Sequence, residues 1–400
     1  MNQKPNDAVI LSGARTPIGK FMGALSSVSA PRLGGAAIKA AVERAGVDPH
    51  DVEEVIMGQV VAAGSGQAPA RRASLYAGLP VDVGAFSVNK ACGSGLKAVM
   101  AAAQAIRAGD AHLLVAGGME NMSAAPYLLP KARQGLRYGH QTMLDGVIHD
   151  GLWCSVVEWM MGDAAEFIAD EYEVTREAMD RFAVESHQKA LAAGDAGKFK
   201  AEIVPVTVED GKGRTTVVDT DESPRRDTSL EALAKLKPAF QHDGKVTAGN
   251  APGLNDGGAA VVLASRHKAE VLGKAPLARI VGYTHAAVDP KYLFVAPAHA
   301  IPRLLDKVCW TLEAVDLIEL NEAFAAQVLA DGYALAEQGW DWSKVNVFGG
   351  AIALGHPVGA SGARVLVTLL NALRDRGLKR GVASLCLGGG EAVALAVEME

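Results

Sequence analysis

The sequence predicts an α/β protein built from two similar halves with a separate segment set between them. Strand-like apolar runs alternate with helical patterns over residues 8–120 and again over 275–398. That alternation stacks sheets and helices in layers. Both stretches also pass through one order of signals: a glycine-rich loop, a helix, a strand, a group of glycines and a Glu. Between them, residues 121–254 show no such alternation.

The first strand is expected over residues 8–11, and a later one over Ala85-Phe86-Ser87-Val88. The loop Cys92-Gly93-Ser94-Gly95 follows, then an alanine-rich run without a breaker until Gly109, which reads as a helix of three or more turns. Residues 111–116 form the next strand and end in Gly117-Gly118-Met119-Glu120. The irregular segment carries Pro126, Pro130, the basic Lys131-Ala132-Arg133, a helix around 179–193, Gly194, Gly197, Gly211, Gly213 and a charged run over 219–227. A compact domain does not contain a structureless loop of that length, so the segment is expected to be a subdomain with its own task. Residues 254–263 then return as a buried strand to the first half. In the second half Gly359-Ala360-Ser361-Gly362 starts a helix running to Arg374. The strand 381–386 follows, ending in Gly388-Gly389-Gly390-Glu391. The expected division is 1–121 with 255–274, then 122–254, then 275–400. The glycine-rich loops of the halves should meet in one cleft, where open α/β sheets hold their ligands.

A chain of 400 residues calls for two or three domains. Its 49% hydrophobic and 21% charged residues give ample material for a core. A net charge of −6 without a Lys/Arg cluster argues against nucleic acid as partner, and no apolar run reaches the ~18–20 residues of a membrane span. Met1-Asn2-Gln3-Lys4 opens neither a signal core nor a presequence. The four cysteines, at 92, 154, 309 and 386, have no metal or disulfide spacing. A reducing cytoplasm is expected, with Cys154 and Cys309 as apolar filler and no metal or tightly bound cofactor.

Four segments carry chemistry. Cys92 sits where a strand turns into a helix, followed by Gly93 and Gly95, which let the backbone bend sharply and a ligand approach closely. The helix N-terminus carries roughly half a positive charge, which is expected to lower the thiol pKa and favour the nucleophilic thiolate. The arrangement resembles a hydrolase nucleophile elbow with cysteine in place of serine. His356 lies in Gly355-His356-Pro357 among glycine-dense turns, an awkward place for a core histidine. Cys386 precedes Leu387-Gly388-Gly389-Gly390, a thiol beside bare backbone N–H groups of the kind that make an oxyanion site. Asn321-Glu322 puts a polar pair at the mouth of an apolar strand.

Together these segments resemble the thiolase family. The nucleophile loop around Cys92, Asn321-Glu322-Ala323-Phe324-Ala325, Gly355-His356-Pro357 and Cys386-Leu387-Gly388-Gly389-Gly390 stand in that family's order and near its spacings. The resemblance extends from Ser12-Gly13-Ala14-Arg15-Thr16-Pro17 to the C-terminus. It implies a five-layered αβαβα fold whose inserted loop domain covers the acyl-CoA and supplies contacts for a homotetramer. The implied activity condenses two acetyl-CoA to acetoacetyl-CoA and CoA, and cleaves in reverse; the alternatives are a longer-chain 3-ketoacyl-CoA thiolase and, behind it, a non-catalytic thiolase-like protein that binds acyl-CoA or lipid. By the same resemblance Cys92 carries the acyl group and His356 takes its proton. Cys386 removes a proton from the second acetyl-CoA, Asn321 holds a water at its enolate, and the N–H groups of Cys92 and Gly388 stabilise the tetrahedral intermediate. Arg225 is placed near the nucleotide end of coenzyme A. Leu152, Met161, Phe240, Ala248, Gly249, Leu293 and Phe324 are placed along the pantetheine channel or acyl pocket. Met160, Pro252, Leu293, Phe348 and Glu391-Ala392 depart from the commoner family pattern, and leave chain length and direction of flux open.

Overall fold

The computed structural model describes residues 4–209 and 213–400. Met1–Gln3 of the N-terminal reading and Gly211 lie outside the described residues.

The first half supplies the strands β1 (Ala8–Arg15), β2 (Gly19–Lys20), β3 (Glu54–Gly58), β4 (Gly84–Val88) and β5 (Leu113–Asn121), with helices α1 (Ala30–Ala45), α2 (Pro69–Tyr76) and α3 (Ser94–Ala108). The expected helix after Cys92 is α3, and Gly109 ends it in the left-handed conformation with φ 86°, a cap that glycine adopts without strain. The inserted segment holds three short ladders: β6 (Tyr127–Leu128) with β7 (Leu144–Asp145), β8 (Trp153–Cys154) with β9 (Trp159–Met160), and β10 (Val206–Glu209) with β11 (Thr215–Val218). Around them lie α4 (Met161–Glu171), α5 (Arg176–Asp195) and α6 (Leu230–Ala234). The chain returns through β12 (Asn255–Ser265) and α7 (Arg266–Val271). The second half then adds β13 (Ala278–Ala287), α8 (Pro297–Val308), β14 (Leu317–Leu320), α9 (Ala325–Ala334), α10 (Ala351–Leu354), α11 (Val358–Arg376), β15 (Arg380–Leu387) and β16 (Glu391–Met399).

The two halves share one topology. In the first the strands run β4-β3-β5-β12-β1, and in the second β14-β15-β16-β13. Ile318 of β14 bridges Val345 in parallel, at the place β4 occupies in the first half. The central strands β5 and β15 each run parallel to one neighbour and antiparallel to the other. The strands β1 and β13 even carry a register shift at the same place, at Ile10/Ser12 and at Ile280/Gly282. Val9 and Ile10 pair with Arg279 and Ala278, joining the two sheets edge to edge.

Helices α3 and α11 pack against each other and against strands of both halves, while α1 and α2 cover the far face of the first sheet and α8 that of the second. The layers are thus helix, sheet, helix, sheet, helix, the five-layered order that the family resemblance implied. The middle layer buries the largest apolar cluster, including Leu96, Val99, Leu366, Leu370, Leu114 and Leu385.

The glycine groups of the two halves are not equivalent, contrary to the sequence reading. Gly117 and Gly118 lie inside β5, whereas Gly388–Gly390 form the turn from β15 to β16, with Gly389 at φ 90° and Gly390 at φ 88°. Residues 122–254 are inserted between the strands that this tight turn joins in the second half. The segment does not close a core of its own. Ala165, Ile168 and Met179 share one apolar cluster with Leu293, Phe294, Ala326, Ile352 and Cys386 of the second half. That packing aims the segment at the chemistry.

Of the two cysteines read as filler, Cys154 is buried, but Cys309 is exposed at the C-terminus of α8 with φ 56°. Among the described residues no helix is long and apolar enough to cross a membrane.

Candidate active site

Cys92 stands on the loop between β4 and α3. Ala91 before it takes the left-handed conformation, φ 43°, a strained state that non-glycine residues hold only when the surroundings enforce it. Ser94 does the enforcing. Its Oγ accepts from Lys90 N–H at 2.8 Å and donates to the Ala91 carbonyl at 2.6 Å. A Cβ on Gly93 would run into Leu387 and reach within 2.9 Å of a Val393 methyl, so glycine lets the loop lie directly on the β15–β16 hairpin. The N-terminal turns of α3 and α11 cross where a Cβ on Gly95 would come 2.8 Å from Ala363 N, and one on Gly362 would strike the Leu96 backbone. The segments Gly93-Ser94-Gly95 and Gly359-Ala360-Ser361-Gly362 therefore form the central helix crossing. This crossing places the Cys92 loop beside the His356 loop.

His356 is held from both sides. Its backbone N–H donates to Asn255 Oδ1 at 2.9 Å, and its Nδ1 lies 2.6 Å from Ser361 Oγ. Ser361 gives its own proton to the Pro357 carbonyl at 3.0 Å, so it accepts from Nδ1–H. The Nε2 lone pair is left buried and without a partner among the described residues, on a residue that lines a chamber with Cys92. Burial, with the Arg364 charge added, lowers the imidazole pKa to about 3. At neutral pH His356 is an uncharged base in the chamber that also holds Cys92 and Cys386.

The chamber is lined by Cys92, His356, Cys386 and Gly388. Its other lining residues include Leu152, Met160, Met161, Phe240, Leu293 and Phe324. Phe324 touches both Phe294 and Phe240 edge-on, with ring centroids 5.2 and 6.4 Å apart, and Leu293 is 1% exposed. The wall is apolar and bulky.

The expected lowering of the Cys92 pKa does not occur. Burial raises it to about 11, while the N–H groups of Cys92 and Gly388, both directed at the sulfur, offset only part of that. The helix terminus is worth at most ~2 kcal/mol, and removing the thiolate from water costs more. Cys386, at the end of β15, is 1% exposed. It is raised well above an ordinary thiol by burial, then by Cys92 and Asp331 nearby. Neither sulfur is a resting thiolate at neutral pH.

Asn321 directly follows β14 with its side chain fully buried, and neither its Oδ1 nor its Nδ2 has a partner among the described residues. It does not line the chamber. Glu322 beside it is tied to Ser186 Oγ, Asn346 Nδ2 and Ile352 N at 2.7, 2.9 and 3.1 Å, a structural clamp between the inserted segment and the second half.

The sequence matches the description "Thiolase, N-terminal domain" over residues 8–267 and "Thiolase, C-terminal domain" over 274–399. The chain belongs to the thiolase family. It is 56% identical to the acetyl-CoA acetyltransferase of Pseudomonas aeruginosa over 97% of this chain and 98% of that one. With the acetyl-CoA acetyltransferase of Cupriavidus necator identity is 57%, over 98% and 99%. The crystal structure of the Bacillus anthracis acetyl-CoA acetyltransferase superposes with TM-score 0.95 at 46% identity, covering 98% of this chain and 99% of that one.

In this thiolase a second, more open chamber adjoins the first through Ala251, Gly253 and Leu254, which line both. Arg225, Ala248 and Gly249 line this outer chamber with Lys20, His187, Ser223 and Asp227. The Arg225 side chain is largely exposed, 3.7 Å from Asp227. The predicted substrate residues therefore split into an inner apolar group and an outer, partly charged group. Of the departures, Met160, Pro252 and Leu293 line the inner chamber. Phe348 does not; it is buried in the central core, edge-on to Phe199 with ring centroids 6.2 Å apart. Sequence reasoning missed Ser361 and Asn255 as the residues that fix His356. The one available signal was Ser361, five positions after His356 in the first turn of the helix that the His356 loop leads into.

Proposed function

We propose that this thiolase is an acetyl-CoA acetyltransferase, condensing two acetyl-CoA to acetoacetyl-CoA and CoA and running the reverse thiolysis. The observation that carries the reading is one apolar chamber that collects two thiols, an imidazole with an open Nε2, and two backbone N–H groups aimed at the first sulfur.

Cys92 attacks the thioester carbon as His356 Nε2 takes its proton, which splits a difficult transfer into two steps. The oxyanion forms on the N–H groups of Cys92 and Gly388. Losing one such donor typically costs about 2.7–4 kcal/mol of activation free energy. The departing CoA thiolate takes the Cys386 proton, leaving Cys386 as the base for the alpha carbon of a second acetyl-CoA. Burial makes that thiolate short-lived and strongly basic. The imidazolium now donates Nε2–H to the enolate oxygen, with a water on Asn321 as the other donor. The enolate carbon attacks acyl-Cys92, and the released sulfur recovers its proton from His356. Protons balance over the cycle, and no tightly bound cofactor or metal is required.

Acetyl-CoA, acetoacetyl-CoA and CoA are the small-molecule partners. The acyl group occupies the chamber of Met161, Leu293 and Phe324. The pantetheine passes Leu152 and Phe240, then Ala248 and Gly249, and the nucleotide end meets Arg225. In this reading residues 1–121 with 255–274 and 275–400 are the two catalytic halves, and 122–254 cover the ligand and build a cytoplasmic homotetramer. The test is incubation with acetyl-CoA followed by intact-mass and peptide analysis. One acetyl group should appear on the peptide containing Cys92; label on Cys386 alone would overturn the assignment.

A further inference from the structure

The two N–H groups aimed at the Cys92 sulfur come from different halves of the molecule, one on the β4–α3 loop and one on the β15–β16 turn. Their separation depends on how the halves are held together at that point. Two residues before Cys92, Lys90 extends across the boundary and donates to both carboxylate oxygens of Glu391, at 2.8 and 2.7 Å. Glu391 lies three residues beyond Gly388 and opens β16. The pair is half-buried, with side chains 22% and 33% exposed. Beneath it, Gly93 packs on Leu387 and Val393, and the position a Gly388 Cβ would take lies 3.8 Å from Ala91 Cβ. Apolar contact thus sets how closely the loops approach. It does little to stop them sliding along each other, whereas two charge-assisted hydrogen bonds lengthen and weaken when either loop slides.

We infer that Lys90 and Glu391 are positioning residues for acyl transfer, an ion pair that locks the Cys92 loop to the Gly388 turn and fixes the spacing of the two oxyanion donors. The inference rests on the proposed acetyltransferase reading. Neither residue touches the reacting atoms: the chamber wall includes Cys92 and Gly388 but not Lys90 or Glu391. Their effect falls on the step that uses both donors, because oxyanion stabilisation depends on donor placement within a few tenths of an ångström. Displacements of about 1 Å can cost as much as ~100-fold in rate.

The experiment compares wild type with Glu391→Gln, Lys90→Met and the reversed pair Lys90→Glu/Glu391→Lys. Each is assayed for the rate of Cys92 acetylation by acetyl-CoA, for kcat and KM in thiolysis, and for Tm. The expected result is a drop of about tenfold in acetylation rate and kcat for each single variant, with KM for CoA within about twofold of wild type. The reversed pair should recover most of the lost rate, and salt should slow wild type while leaving the single variants unaffected. Single variants that keep kcat within about twofold of wild type overturn the inference, as does a loss of Tm with kcat intact, which marks a merely structural pair. A single variant too unstable to assay leaves the decision to the isosteric Glu391→Gln and to the salt dependence of wild type. Failure of the underlying reading is distinguishable, because wild type itself would then not acetylate Cys92.

Discussion

The reactivity of Cys92 towards an alkylating agent should climb with pH through the whole neutral range. Burial sets the thiol near 11, so at pH 7, four units lower, about one molecule in ten thousand holds the reactive thiolate. His356 is held near 3 by burial and Arg364, so no imidazolium is present above about pH 5 to stabilise a thiolate at rest. The sign follows directly. Raising the pH deprotonates a group whose pKa lies above the window, and the rate should increase about tenfold per unit between pH 6 and 10 without levelling. The assay is single-turnover labelling of the substrate-free protein with iodoacetamide, quantified by mass on the peptide containing Cys92. A plateau reached below pH 8 would refute the reasoning. It would mean that Cys92 and His356 rest as a thiolate–imidazolium pair, and that the donor N–H groups outweigh burial.

Cys386→Ala should still acetylate Cys92, more slowly because the departing CoA loses its proton donor while His356 still serves the attack, but should fail to exchange the alpha protons of acetyl-CoA with deuterated solvent; retention of most condensation activity would remove the two-thiol cycle. Ser361→Ala leaves the His356 Nδ1–H buried without its 2.6 Å acceptor, a loss of about 1–3 kcal/mol, so kcat should fall by about tenfold or more while KM for CoA stays near wild type. Wild type should cleave acetoacetyl-CoA well, five- and six-carbon 3-ketoacyl-CoA measurably and chains of twelve or more carbons poorly, with an optimum at ten carbons or longer marking a fatty-acid-oxidation enzyme. Leu293→Ala, at a site 1% exposed, should cost about 2–5 kcal/mol of stability and shift kcat/KM towards longer acyl groups by about fourfold per added methylene, the equivalent of ~0.8 kcal/mol of burial each; a parallel fall at every chain length would place Leu293 outside the acyl pocket.

The sequence by itself determined the layered α/β class, the duplicated halves and the residue types of the chemistry. It could do so because strand and helix periodicities are local, and because Cys92, His356 and Cys386 each stand within two residues of a glycine that marks the end of a strand or the start of a loop. The helix after Cys92, its stop at Gly109 and the return strand β12 were legible for the same reason. The tertiary structure decided what depends on neighbours distant in the chain. The thiol pKa moved opposite to the local expectation, since desolvation is set by everything packed around a site and not by the helix it starts. Gly117-Gly118 and Gly388-Gly389 read alike in sequence but differ in role, because strand pairing across 130-odd residues decides which glycines lie in a sheet and which turn it. The division between inner and outer chambers, the grip of Ser361 and Asn255 on His356, and the core shared by the inserted segment and the second half likewise arise only when separate elements meet. Lys90 and Glu391 lie 301 positions apart, and nothing local to either residue announces the other.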